Sequence, residues 1–273
     1  MKHFLICLSI LFFASCNVEQ KPSAIPESQE IFCSGADKNK LLQIIEGGWV
    51  NEEYIKMFLR LRSPMAVAAK EIALQQLAFD ISNLSGDTLI NAIGKLNCNE
   101  GERFDVIFYT GKNGKTKMKL VEDRDDLSNA LELDYEIAEG DTILVVKKGS
   151  APSARFKRQF RIIFSANDIP VSAMEYYVNK HLFAGEWEMN GAAISFTEKG
   201  SARNFKSFRH YSVTTRDPEA ASLPDEISFY NDTSGITYAF TVRNNTIQLY
   251  ELKQSEDGTA FSRGPLFGEL KRR

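Results

Sequence analysis

Gly185-Glu186-Trp187 follows a segment of helical spacing, Pro170 to Leu182, and opens a run of short alternating strands. Gly47-Gly48-Trp49 sits in the same setting, behind Asp37 to Glu46 with its Leu41, Leu42, Ile44 and Ile45. In each case Gly stops a helix. Beyond both triplets the hydrophobic period is two. Phe104, Val106 and Phe108 share one face, and Leu131, Leu133, Tyr135 and Ile137 alternate with Glu132, Asp134 and Glu136. Ala192, Ile194 and Phe196 repeat the pattern, as do Ile236, Tyr238, Phe240 and Val242. This is the pattern of half-buried antiparallel strands joined by tight turns. Asn244-Asn245 fits such a turn because Asn tolerates positive φ. Ile143 to Val146 is apolar on both faces. The order helix, Gly-x-Trp, strands occurs twice, which argues for duplicated domains.

Gly-x-Trp behind a helix, at the mouth of a β run, resembles the opening motif of the lipocalin barrels. Thr237-Tyr238-Ala239-Phe240 is loosely similar to that family's second motif, and Arg263 is the candidate for its later Arg. The resemblance implies a mainly β chain of two tandem lipocalin-like antiparallel β-barrel or half-barrel domains, each preceded by a short helix. They would span residues 37–166 and 167–273, with the boundary near Ala166 to Asp168. Trp49 and Trp187 would be barrel-floor residues. The resemblance implies no particular ligand.

Two short helices are expected between Trp49 and the first alternating strand. Asn51 can cap one, with Glu52 and Glu53 in its first turn, where the helix dipole favours them, and Tyr54, Ile55, Phe58 and Leu59 on one face. Ser63-Pro64 starts the other, with Pro at the tolerated first position.

The N-terminus carries an address. Met1-Lys2-His3 is a short basic start, and Phe4 to Phe13 is almost wholly apolar. That run is shorter than the roughly 20 residues that span a bilayer. It reads as a secretory signal over residues 1–15. Phe13-Ala14-Ser15-Cys16 resembles the bacterial lipobox, with Phe13 where that family prefers Leu. The resemblance implies cleavage before Cys16, acylation of Cys16 and a membrane anchor of several acyl chains, each worth about 0.8 kcal/mol per buried CH₂. Asn17 rather than Asp after the Cys implies the outer membrane. Residues 16–36, polar and containing Pro22 and Pro26, read as a tether. Cys33 and Cys98 are either a disulfide of the oxidising envelope or two buried thiols.

Motifs for chemistry are sparse. His181 and His210 have no second His at a ligand spacing, so no metal is expected. No Gly-x-Ser-x-Gly and no Gly-rich phosphate loop occurs. Glu122 to Asp126 lacks the spacing of a calcium loop and reads as a solvated turn. The formal net charge of -3 gives no global signal for nucleic acid. Arg155, Lys157, Arg158 and Arg161 form a basic strand that suits either anionic headgroups or a solvated edge. The second unit is dense in aromatic residues. Phe208, Tyr211, Tyr238 and Phe240 either line a pocket for an apolar ligand or fill a small core. The expectation is a lipid-anchored envelope lipoprotein, not an enzyme and without a cofactor, that binds an apolar small molecule, a lipid or an envelope protein. The alternatives are a structural or interaction subunit with filled barrels, and an enzyme whose site is assembled from scattered polar residues.

Overall fold

The computed structural model describes residues 35–70, 72, 74–86, 88–96, 102–161, 172–215, 223–256 and 261–273. Cys16, Cys33, Cys98 and the expected boundary at Ala166 to Asp168 lie outside them.

Helix α1 (Gly35–Ile45) leads into β1 (Gly47–Asn51). Helices α2 (Glu52–Leu61) and α3 (Pro64–Ala68) follow, then β2 (Leu74–Phe79), the short β3 (Leu84–Ser85) and β4 (Thr88–Leu96). The meander continues through β5 (Glu102–Thr110), β6 (Thr116–Val121), β7 (Leu131–Ala138), β8 (Asp141–Lys147) and β9 (Ala154–Phe160). β9 pairs back onto β1, and β2 pairs with β4 across the β3 excursion. These pairings close an eight-stranded antiparallel barrel, with β3 as an appendage on β4.

The second half repeats the plan. Helix α4 (Ala173–Leu182) leads into β10 (Gly185–Met189), β11 (Ala192–Phe196), β12 (Ser201–Phe205) and β13 (Phe208–Val213). Strands β14 (Asp225–Tyr230), β15 (Gly235–Arg243), β16 (Thr246–Gln254) and β17 (Phe261–Arg272) complete a closed barrel of eight. The chain is thus mainly β, two antiparallel barrels in tandem, each entered from a helix.

The duplication extends to atoms. Trp49 and Trp187 are 0 % and 2 % exposed. Trp49 Nε1 donates to the Ile45 carbonyl at 2.7 Å, and Trp187 Nε1 donates to the Phe183 carbonyl at 2.5 Å. Each indole therefore ties its strand to the end of the preceding helix, four residues back. An arginine from the last strand covers each ring. Arg158 lies opposite Trp49 in the β1–β9 ladder, 4.5 Å from the ring, and donates to the Ile44 carbonyl. Arg272 lies opposite Trp187, 5.3 Å from the ring, and donates to the Ala184 carbonyl at 2.6 Å. Arg272, not Arg263, is the arginine that covers Trp187. Arg263 instead reaches the Tyr250 ring on the neighbouring strand. Gly47 and Gly185 have φ of 118° and 129°, the conformation that lets helix turn abruptly into strand.

The halves differ between their first two strands. Asn190-Gly191 makes a tight turn in the second barrel, whereas α2 and α3 are inserted in the first. Their caps are local: Asn51 accepts from the Glu53 amide, and Ser63 from the Ala66 amide with Pro64 beside it. The insertion joins the halves. Val50, Tyr54, Phe58 and Val67 belong to the same buried cluster as Tyr177, Trp187, Phe196 and Phe240, so the core of the second barrel continues into helices of the first half. Two caps cross the same seam. Asp225 Oδ1 accepts from the Met65 amide at 3.0 Å, and Gln76 Oε1 accepts from the Met174 amide at 3.0 Å. The interior of the first barrel is a separate cluster around Trp49, Phe104, Phe108 and Phe156, entered by Leu41, Leu42 and Ile45 of α1.

Candidate functional site

The second barrel is filled by its own aromatic rings. Tyr211, Tyr238 and Phe240 are buried, while Phe208 is half-buried. Phe183 packs on Phe240 and Tyr211 at 5.2 and 5.7 Å between centroids, and Phe205 stacks on Phe229 at 3.9 Å. Such pairs add about 0.5–1.5 kcal/mol each beyond their buried area. The polar ends are satisfied within the barrel: Tyr211 donates to the Thr197 carbonyl at 2.7 Å, and the Lys206 ammonium meets the Tyr238 hydroxyl at 2.8 Å. Burial holds the Tyr211 phenol well above its ordinary pKa, with Glu175 and Glu198 adding to the effect. Of the two readings of these aromatic residues, the packing contacts match a small filled core.

The perturbed ionisable groups gather at the seam between the halves. Burial raises the pKa of the Tyr54 phenol, and the nearby Asp225 and Tyr177 raise it further. Tyr177 is pushed up to about 12 by burial. Burial also raises Asp225, against the hydrogen bonds from Met65 and Ser63 and the charge of Arg263. His181, 4.3 Å from the Tyr177 ring, is lowered by burial and then by Lys180 and Arg62. Each group has a packing or capping role: Asp225 caps α3, and the three rings sit on the faces of α2 and α4 that meet. Perturbed pKa values accompany structural networks as well as active sites. Nothing in this arrangement pairs a nucleophile with a base. Among the described residues no group of three His, Cys, Asp or Glu side chains is placed to hold a metal ion. Among the same residues no helix is long and apolar enough to cross a membrane.

The basic strand is largely spoken for. Arg155 pairs with Glu52 at 3.0 Å and with Glu136, Lys157 lies 3.9 Å from Glu52, and Arg158 is under Trp49. The cluster at Glu122 to Asp126 is exposed, with Arg124 paired to Asp105 at 2.5 Å.

An open space lies in the first half instead. Strands β6 and β7 are paired only over Met118↔Leu133, Lys119↔Glu132 and Leu120↔Leu131. Towards α1 both strands continue, yet the ladder between them stops. A cleft of about 880 Å³ occupies that opening, lined by α1, the β5–β6 turn and β7. Leu41, Met118 and Leu133, which also belong to the barrel core, form its floor, and Tyr109 and Tyr135 contribute to its walls. The Tyr109 hydroxyl donates to Glu132 at 2.5 Å, and burial followed by that bond raises the Tyr109 pKa. Lys119 lies 3.7 Å from the same carboxylate and 4.8 Å from the Tyr109 ring. Sequence reasoning missed this cleft. Its residues read as ordinary alternating strands, and the one unusual signal is the lysine-rich turn Lys112 to Lys119.

Compared with family models, with curated proteins and with solved structures, the chain has no match in any of the three.

Proposed function

We propose that this chain is a non-catalytic binding protein of a bacterial envelope, lipid-anchored through Cys16, that takes an apolar small molecule or lipid in the cleft of its first barrel. The observation that carries this reading is a gap in the wall of the first barrel. Both barrel interiors are packed, but β6 and β7 part beside α1 around a cleft of about 880 Å³. The volume lies in the roughly 300–1,000 Å³ range of ligand sites, and the lining is mixed, with four lysines and four carboxylates beside apolar and tyrosine side chains. The anchor reading rests on the basic start Met1-Lys2-His3, the apolar run Phe4 to Phe13 and the tetrapeptide Phe13-Ala14-Ser15-Cys16. An outer-membrane location follows from Asn17 by the same resemblance.

Native mass spectrometry of the purified full chain is the test. A co-purified ligand should be present in the wild type and lost in Thr116→Trp, which sets an indole at the rim of the cleft. A bare chain mass in both, together with failure to take up any added amphiphile, would remove the binding reading. Cys16→Ala should abolish palmitate incorporation and release the protein to the soluble fraction; a mutant that stays labelled and membrane-bound would refute the anchor. The filled second barrel favours a second reading for that half, a scaffold or interaction module for an envelope partner.

A further inference from the structure

The cleft in the first barrel has a charge pattern that selects among ligands. Lys40, Lys115, Lys117 and Lys147 line it, and all four are exposed. None of them has an ion pair among the described residues. Four carboxylates also line it, so a simple count would make the lining neutral. Their engagement breaks that balance. Glu132 is held by Tyr109 and by Lys119, and Glu136 by Arg155. Both cations stand outside the lining. Asp134 accepts from the Tyr135 amide at 2.8 Å, and Asp37 sits in the first turn of α1, where the helix dipole favours it. Two of the four carboxylates are thus paired with cations outside the lining, while the four ammonium groups carry no ion pair among the described residues. Beside them Tyr135 and the exposed Ile137 continue the β7 face that begins at the buried Leu133.

We infer that the cleft binds an anionic amphiphile, with a carboxylate or phosphate head among Lys40, Lys115 and Lys117 and an alkyl tail along Tyr135 and Ile137, the apolar lining side chains that reach solvent. This rests on the binding reading above and goes further by naming the head-group charge. A neutral ligand would leave the ammonium groups without a partner. A cationic one would meet four lysines and find two of the four carboxylates, Glu132 and Glu136, already paired with Lys119 and Arg155. The head does not need a rigid fork, since lysines act as mobile point charges. The selectivity should therefore follow charge more than head-group shape, and weaken with salt.

The experiment is calorimetric titration of the full chain, below micellar concentrations, with decanoate, decyl phosphate, 1-decanol and decyltrimethylammonium. The second protein is Lys40→Gln/Lys115→Gln/Lys117→Gln, which changes only exposed side chains. Decanoate and decyl phosphate should bind the wild type about fivefold or more tighter than decanol, and the cation weakest. The triple variant should lose about tenfold for the two anions, a few exposed ion pairs' worth, and little for decanol. Decanol binding as tightly as decanoate, or a triple variant with unchanged anion affinity, would overturn the charge assignment while leaving the binding site in place. If none of the four binds, the binding reading itself falls and takes this inference with it. Preference for decyl phosphate over decanoate would indicate a phospholipid-like head, and the reverse a fatty acid.

Discussion

Replacing Trp187 tests how the second barrel is held shut. Its indole is 2 % exposed, donates to the Phe183 carbonyl at 2.5 Å and lies under the Arg272 guanidinium. Truncation to Ala removes the buried ring and leaves a cavity, a change that costs about 3–5 kcal/mol for a residue of this size. The Phe183 carbonyl also loses its donor and Arg272 its ring. Phe at the same position keeps most of the volume but cannot donate. Its cost reduces to the lost hydrogen bond, a weaker cation–π contact and some surface, about 1.5–2.5 kcal/mol. For a chain of this size about 1 kcal/mol shifts Tm by roughly 2–4 °C. Trp187→Ala should therefore lower Tm by about 10 °C and Trp187→Phe by about 5 °C. Trp49 has the same hydrogen bond and the same arginine cover, so Trp49→Ala should cost a similar amount. Circular dichroism melts read the stability, and iodide quenching in a Trp49→Phe background reads the exposure of Trp187. Strong quenching with a Trp187→Ala melt within about 2 °C of wild type would refute the closing role. It would also remove the physical basis for treating the two halves as copies.

Gly47→Ala should destabilise more than Gly185→Ala, although both positions carry a strained positive φ worth about 1–3 kcal/mol for a non-Gly residue. A Cβ on Gly47 meets the rigid Phe160 carbonyl, whereas one on Gly185 meets the movable tip of Arg272 at 3.2 Å; equal urea midpoints for the two variants would refute this. Asp225 is a buried acid whose folded pKa lies above its unfolded value of 3.8, so its ionisation destabilises the fold as pH rises through the folded value. Asp225→Asn, which still accepts from Met65, should flatten the decline in stability above about pH 4; an unchanged urea-midpoint profile between pH 4 and 7 would refute it. Residues 167–273 expressed alone should show a cooperative melt, but lower than the full chain, because α2 and α3 no longer cover Tyr177 and Met174; an equal Tm would mean that the shared core contributes nothing.

Much of the architecture was legible locally. Period-two runs such as Leu131 to Ile137 became β7 with Leu133 inward, although Ile137 at its end is exposed. The caps at Asn51 and Ser63-Pro64 form as their chemistry dictates, since a cap needs only residues two or three positions away. The αL turn at Asn244 is local in the same sense. The repeated Gly-x-Trp was also legible, because the glycine's φ and the indole's reach to the carbonyl four residues back are short-range facts.

Sequence by itself determined the two Gly-x-Trp openings, the capped helices, the period-two strands it marked and the helix-to-strand order that occurs twice, since propensity, period and capping act over a few residues. Only the tertiary structure decided what depends on strand register and on elements far apart in the chain. Arg272, not Arg263, covers Trp187 because β17 pairs with β10 in one particular register. The inserted helices α2 and α3 could be drawn from Tyr54 and Phe58, but their burial against a core more than a hundred residues away could not. The aromatic residues of the second half fill its barrel because strand closure brings Phe205 onto Phe229 and Phe183 onto Phe240. The cleft exists because the β6–β7 ladder ends at Met118↔Leu133, a matter of how the barrel closes around α1. An alternating strand reads the same in sequence whether or not its neighbour stays beside it.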